Sequence, residues 1–208
     1  MSFDEEVLKY NVSRETLQKL KDFKALLLEW NQKINLVSKN AENELDFRHI
    51  LDSLQLLEHI DNNARLIIDI GSGSGFPGIV LAIALQEKIP EAKIVLVESI
   101  TKKTVYLKDV CYYLGLTNVE VVNNRAENVV FKNVDYITAR AVAAMDKIFN
   151  FTKTICSKNT RFLLLKGKSG NEELTEAKKR WTFKVKSFAN KYCADGYLYE
   201  IFDLRKIK

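Results

Sequence analysis

The sequence predicts an α/β fold: a mostly parallel seven-stranded sheet with an antiparallel C-terminal hairpin, preceded by an N-terminal helical extension. Three observations predict it. From Arg65 onward, short apolar runs alternate with helical stripes, the arrangement of a parallel sheet covered on both faces. A turn dense in glycine, Asp69-Ile-Gly-Ser-Gly-Ser-Gly-Phe-Pro-Gly78, joins the first run to the helix after it and holds four of the chain's eight glycines. The first sixty residues contain no glycine or proline and carry helical periodicity alone.

The elements follow in order. Ser13 before Arg-Glu-Thr reads as a helix N-cap with an acid in the first turn. Leu17, Leu20, Phe23, Leu27, Trp30 and Ile34 then recur at steps of three and four, one stripe of an amphipathic helix. The polar stretch 38–43 ends it, and Leu45, Ile50, Leu54, Leu57 and Ile60 form a second stripe. Residues 1–62 are therefore assigned to the helical extension and 63–208 to the α/β domain. Within that domain, 66–70, 94–98, 119–122, 136–139 and 162–166 read as buried strands. An apolar helix begins near Phe76-Pro77, and a second over 102–114 is closed by Gly115. The runs 183–188 and 197–204 have no long helical pattern between them and read as the terminal hairpin.

Composition narrows the partners. With 208 residues, 47% hydrophobic and 28% charged, the chain has enough apolar surface for one large core, which excludes a disordered protein. Its longest apolar run, 78–85, is too short to span a bilayer, and the acidic start MSFDEEVLKY lacks the regions of a signal peptide. A cytoplasmic protein with no membrane partner is expected. Cys111, Cys156 and Cys193 are widely spaced with no CxxC pair, so reduced thiols and no metal site are expected. The net charge is +5, and residues 161–208 carry 12 Lys/Arg against 6 Asp/Glu while the rest is balanced. A basic surface so localised suits a phosphate backbone, and equally a solvated face.

The glycine turn carries the chemistry. A phosphate-cradling P-loop needs a Gly-Lys-Ser/Thr ending, and no lysine follows Gly71 until Lys88. Gly73-Ser-Gly75-Phe-Pro-Gly78 is a literal GxGxxG, and Glu98 lies twenty residues beyond it, so an NAD-dependent oxidoreductase stays open. Read from Asp69, however, the turn is Asp-x-Gly-x-Gly-x-Gly, the pattern by which Rossmann-like class I S-adenosylmethionine-dependent methyltransferases are identified. That ligand has no pyrophosphate. Glycines let backbone approach it closely, and Glu98 at a strand end suits its ribose hydroxyls. Phe76 would place an aromatic ring at the ligand's edge, and Pro77 would sit in the first turn of the helix.

The acceptor is narrowed by what the chain lacks. With only Pro77 and Pro90, it has no Asn/Asp-Pro-Pro-aromatic motif for alkylating an amino nitrogen. None of its cysteines falls at a strand end, where pyrimidine C5 methylation needs a nucleophile. Thr138-Ala-Arg140-Ala-Val142 follows the fourth strand instead. An arginine there suits an acceptor with a free lone pair, such as guanine N7, for which positioning and electrostatics suffice.

Trp30-Asn-Gln-Lys-Ile-Asn35-Leu, Arg48-His49-Ile-Leu-Asp52-Ser53-Leu, the 69–78 turn, Ala126-Glu127, Thr138-Ala-Arg140-Ala-Val142 and Lys166-Gly167 occur in this order. This set resembles the RsmG family, also called GidB, of small-subunit ribosomal RNA methyltransferases. The resemblance runs from about Trp30 to Gly167 and implies methylation of N7 of guanine 527 in bacterial 16S rRNA. It implies cofactor contacts at Gly71, Phe76, Ala126, Glu127 and Arg140, with Gly73 and Glu98 added from the strand-end reading. Arg140 is the candidate catalytic residue, facing either the cofactor's methionyl end or the guanine. The expected partner is 16S rRNA or the 30S particle, and the expected state is a monomer. A non-enzymatic RNA-binding or assembly factor with a dead site is the third alternative. His49, Asp52 and Asn35 read either as structural partners or as pocket residues. Lys102-Lys103 reads as a phosphate contact or a solvated face, and Lys178-Lys-Arg180 with Trp181 as a site for RNA phosphates and a stacked base or as plain surface.

Overall fold

A computed structural model describes residues 2–207. Five parallel strands, β1 (Leu66–Ile70), β2 (Lys93–Glu98), β3 (Val119–Asn123), β4 (Tyr136–Arg140) and β5 (Arg161–Lys166), are joined by β6 (Trp181–Ala189) and β7 (Tyr197–Lys206). The order across the sheet is β3-β2-β1-β4-β5-β7-β6, with β7 antiparallel to both of its neighbours. The chain reverses direction across the sheet between β1 and β4, the place where open α/β sheets bind ligands. Strand positions agree with the expected runs to within about two residues, because buried parallel strands are apolar along their whole length.

Side chains alternate between two cores. Ile67, Ile94, Leu96, Leu163 and Leu165 point to one face, and Ile68, Ile70, Val95, Val97, Phe162 and Leu164 to the other. The first face is covered by α5 (Gly78–Lys88), by α6 (Thr101–Tyr113) and by the N-terminal helices. Those are α1 (Phe3–Leu8), α2 (Arg14–Asn31) and α3 (Lys39–Glu42), followed by a helical segment over 45–59. That segment passes from a π-helix, Leu45–Leu51, through one α turn, α4 (Asp52–Leu54), into a 3₁₀ turn, Gln55–His59. The second face is covered by α7 (Met145–Thr152) and α8 (Gly170–Ala177).

Ser13 caps α2 by accepting from Thr16 N, as expected, and Leu17, Leu20, Phe23 and Leu27 form its buried stripe. The polar stretch read as a break is itself a turn of helix, because Ser38 accepts from Ala41 N and caps it. Gly78 to Leu85 are all buried, since α5 lies between the sheet and α2; this explains the long apolar run. Pro77 stands at the N-cap of α5, one residue before the helix instead of in its first turn. Gly115, at φ +61°, ends α6 in a left-handed turn. Among the described residues no helix is long and apolar enough to cross a membrane.

Candidate active site

The glycine turn is shaped by its neighbours at the carboxyl ends of β1, β2 and β4. Gly71 has φ +66°, and a Cβ there would stand 2.6 Å from Val142 Cγ2. Gly75, at φ +93°, is packed against Ile79 and Phe23, so α2 forms the floor of the turn. Tyr106 of α6, fully buried, donates to Ser74 O at 3.1 Å. Gly73 differs: at φ +53°, a Cβ would meet only Gly71 O, at 3.5 Å, so space opens above it. Its N–H donates to Glu98 Oε2 at 2.9 Å, and Ile100 N–H donates to Oε1 at 2.7 Å. Glu98 is thus held rigidly at the end of β2 with lone pairs left on both oxygens.

Asp69 lies beneath the turn, 1% exposed. Its Oδ1 accepts from Thr138 Oγ1 at 2.7 Å, and its buried Oδ2 has no hydrogen-bond partner among the described residues. Burial pushes this carboxyl up to about 7. In the unfolded chain it titrates near 4, so between about pH 4 and pH 7 the folded form holds a proton the unfolded form has released. The stability contributed by this carboxyl is therefore greatest below this window, falls as pH rises through it, and levels off above pH 7. Asp69→Asn, neutral throughout, is expected to remove this contribution, so its stability should rise more, or fall less, with pH than that of the wild type. Thermal unfolding from about pH 5 to pH 8 checks it, and an unchanged slope in the variant would assign the dependence elsewhere.

Val142 also lines a cavity of about 390 Å³. Its charged lining is Arg48, Asp52, Arg140, Lys166 and Glu173, with Asn190 and Cys193 from the β6–β7 connection. Lys166 Nζ is occupied, donating to Ala143 O and pairing with Glu173 at 2.8 Å. Arg140, at the end of β4, has its Nε 3.5 Å from Asp52 Oδ2, its guanidinium 5.8 Å from the Phe76 ring, and its Nη1 buried with no acceptor among the described residues. Burial lowers its pKa, against the opposing pull of Asp52. Ala141, the next residue, holds a left-handed φ of +53°, a strained backbone at the cavity wall.

A family model described as GidB, rRNA small subunit methyltransferase G, matches residues 16–196. The chain belongs to the GidB family. A curated relative, "Ribosomal RNA small subunit methyltransferase G" of Rickettsia felis, is 41% identical over 196 residues, covering 94% of this chain and 98% of the relative. Among solved structures, an Aquifex aeolicus protein described as a SAM dependent methyltransferase aligns over 80% of this chain and 99% of its own, at 17% identity and a TM-score of 0.58. M. jannaschii TYW2 in complex with AdoMet aligns over 71% and 72%, at 16% identity and a TM-score of 0.53. This GidB member is an S-adenosylmethionine-dependent methyltransferase with the Rossmann-like fold of its class.

The residues of the chain fit that cofactor. Gly73 leaves open space where a larger side chain would intrude, and Glu98 presents a fixed carboxylate beside it. Of the positions singled out in the sequence, Gly71, Gly73 and Glu98 come together directly, and Phe76 and Arg140 form a second group. Ala126 and Glu127 occupy a 3₁₀ turn just after β3, one strand beyond Glu98, with Ala126 half-buried and Glu127 exposed. The Phe76 ring is 6% exposed and enclosed by Phe23, His49 and Arg140, so it supports the guanidinium from beneath. Trp181 is buried against Phe149 and offers no face to an RNA base. Asn190 escaped the sequence reading: nothing in its neighbourhood marks it, and only the return of the hairpin brings it to Asp52. Lys166 was visible as part of Lys166-Gly167, though its pairing was not.

Proposed function

We propose that this GidB member transfers a methyl group from S-adenosylmethionine to N7 of guanine 527 in bacterial 16S rRNA. It acts in the cytoplasm as a monomer, on the RNA or on the 30S particle that contains it. The observation that carries the reading is the shared wall. Val142 stands against Gly71 and also lines the cavity. A donor held by the glycine turn and a base held in the cavity therefore meet at the end of β4.

When bound, S-adenosylmethionine supplies a methyl group on a positively charged sulfur. Gly71 and Gly73 admit it to the backbone, Glu98 accepts from its ribose hydroxyls, and Ala126-Glu127 border its adenine. Phe76 contributes through Arg140, whose guanidinium it supports. Guanine N7 has a lone pair in the plane of the ring, so no cavity residue has to accept a proton before transfer. His49 fits this economy: burial, with Arg140 and Arg48 nearby, lowers its pKa to about 3, leaving it a neutral packing partner of Phe76. The chain's work is alignment and electrostatics. Exposed Lys178, Lys184 and Lys186, on and beside the edge strand β6, supply the basic surface for RNA phosphates.

Mapping N7-methylguanine in 16S rRNA from cells with and without the gene tests the proposal. One N7-methylguanine is expected to disappear with the gene, and an unchanged map would overturn it.

A further inference from the structure

Asp52 is a carboxylate with one oxygen held by hydrogen bonds and the other ion-paired with Arg140. Its Oδ1 accepts from Gln55 Nε2 at 2.8 Å and from Asn190 Nδ2 at 2.5 Å. Its Oδ2 has no hydrogen-bond donor among the described residues and lies 3.5 Å from Arg140 Nε. Both side chains line the acceptor cavity; Arg140 Nη1 is buried without an acceptor among the described residues, and it is the rest of the guanidinium, in a side chain 19% exposed, that can face the cavity. The cavity wall thus presents an acceptor and a donor side by side.

We propose that this pair selects guanine: Asp52 Oδ2 accepts the base's N1–H while the Arg140 guanidinium donates to the neighbouring O6. The inference rests on the reading that this cavity holds the methyl acceptor, and it names the groups that choose the base. Adenine reverses both positions, with an unprotonated N1 beside an amino group, so acceptor meets acceptor and donor meets donor. Cytosine is reversed in the same way, and uracil has no N7. Reading a base by its Watson–Crick edge leaves N7 free for the methyl group. Methylation at N7 puts positive charge on the ring, so the Asp52 contact strengthens along the reaction and raises kcat more than it lowers KM.

The geometry supplies a clean variant. Gln55 and Asn190 both aim donors at Oδ1, so in Asp52→Asn they hold the amide oxygen there and place the NH₂ group where Oδ2 stood. The acceptor becomes a donor; because Arg140 also loses its charge partner, the variant should be less stable, and it is assayed well below its unfolding transition. With 30S particles lacking the modification, Asp52→Asn is expected to lose about 100-fold in kcat/KM, chiefly in kcat. Affinity for S-adenosylhomocysteine should stay within about twofold, and discrimination against particles carrying adenine at the target position should shrink about tenfold or more. Wild-type enzyme tests the same contact without a substitution. Inosine at the target, which keeps N1–H and O6, should be methylated, and 1-methylguanosine should be refused. Guanine methylation by Asp52→Asn at the wild-type rate, or methylation of 1-methylguanosine as fast as guanosine, would overturn the proposal. Wild-type enzyme inactive on unmodified guanine particles would instead overturn the acceptor reading beneath it.

Discussion

Gly71→Ala is expected to weaken binding of S-adenosylhomocysteine by about 100-fold and to destabilise the fold by about 2–4 kcal/mol. Two effects add. Alanine at φ +66° is strained by about 1–2 kcal/mol. Its Cβ would also stand 2.6 Å from Val142 Cγ2, so either the turn or the end of β4 must move. Gly73→Ala separates the effects. Its φ is also left-handed, but a Cβ meets only Gly71 O at 3.5 Å, so it should cost only about 1 kcal/mol in stability while filling the space above the turn. Calorimetry with S-adenosylhomocysteine and thermal unfolding of both variants check this. Wild-type affinity in Gly71→Ala would remove the turn from the cofactor site.

Arg140→Ala is the second large effect. The Arg140 and Asp52 side chains are 19% and 6% exposed, which places their ion pair in the buried regime, where removing one partner costs about 3–5 kcal/mol. Burial already raises the Asp52 pKa, and Arg140 is the strongest influence pulling it back down. Without it the carboxyl should rise further, so the variant should gain stability as pH falls and lose it as pH rises through the new pKa. Methyl transfer should fall by about 100-fold or more, since the cavity loses its directed donor. Arg140→Lys is expected to restore much of the stability and little of the rate, because an ammonium lacks the planar fork. Comparable methylation by Arg140→Ala and wild type would refute the assignment.

The sheet was the most legible part of the sequence. Runs such as Leu66–Ile70 are buried on both faces, so burial writes itself into composition without a break. Gly115 and Ser13 were legible because a left-handed helix end and an N-cap each demand particular side chains. Asn31 is subtler. It lies in a motif visible in the sequence, and its side chain binds Leu36 N, Val37 N and Val37 O, fixing the exit from α2. The motif could be seen while its structural work could not. The π-helix over Leu45–Leu51 left no trace, since widening a helix by one residue per turn calls for no special composition. At the site, Gly71, Gly73, Glu98 and Arg140 were marked by strand ends, which are local. The Asp52–Asn190 contact joins residues 138 apart, and no local pattern announces such a pairing.

The position of β7 between β5 and β6 has a consequence for vectorial synthesis. A ribosome delivers β6 before β7, yet β6 reaches the sheet only through β7, along residues 197–206. While those residues are still in the exit tunnel, the nascent chain has an open edge at β5 and no seat for the loop that carries Asn190. The methyltransferase is thus assembled from both directions of its chain, with Asp52 supplied early and its clamp late. A ribosome stalled before residue 197 holds a polypeptide with a complete glycine turn and an unfinished acceptor cavity.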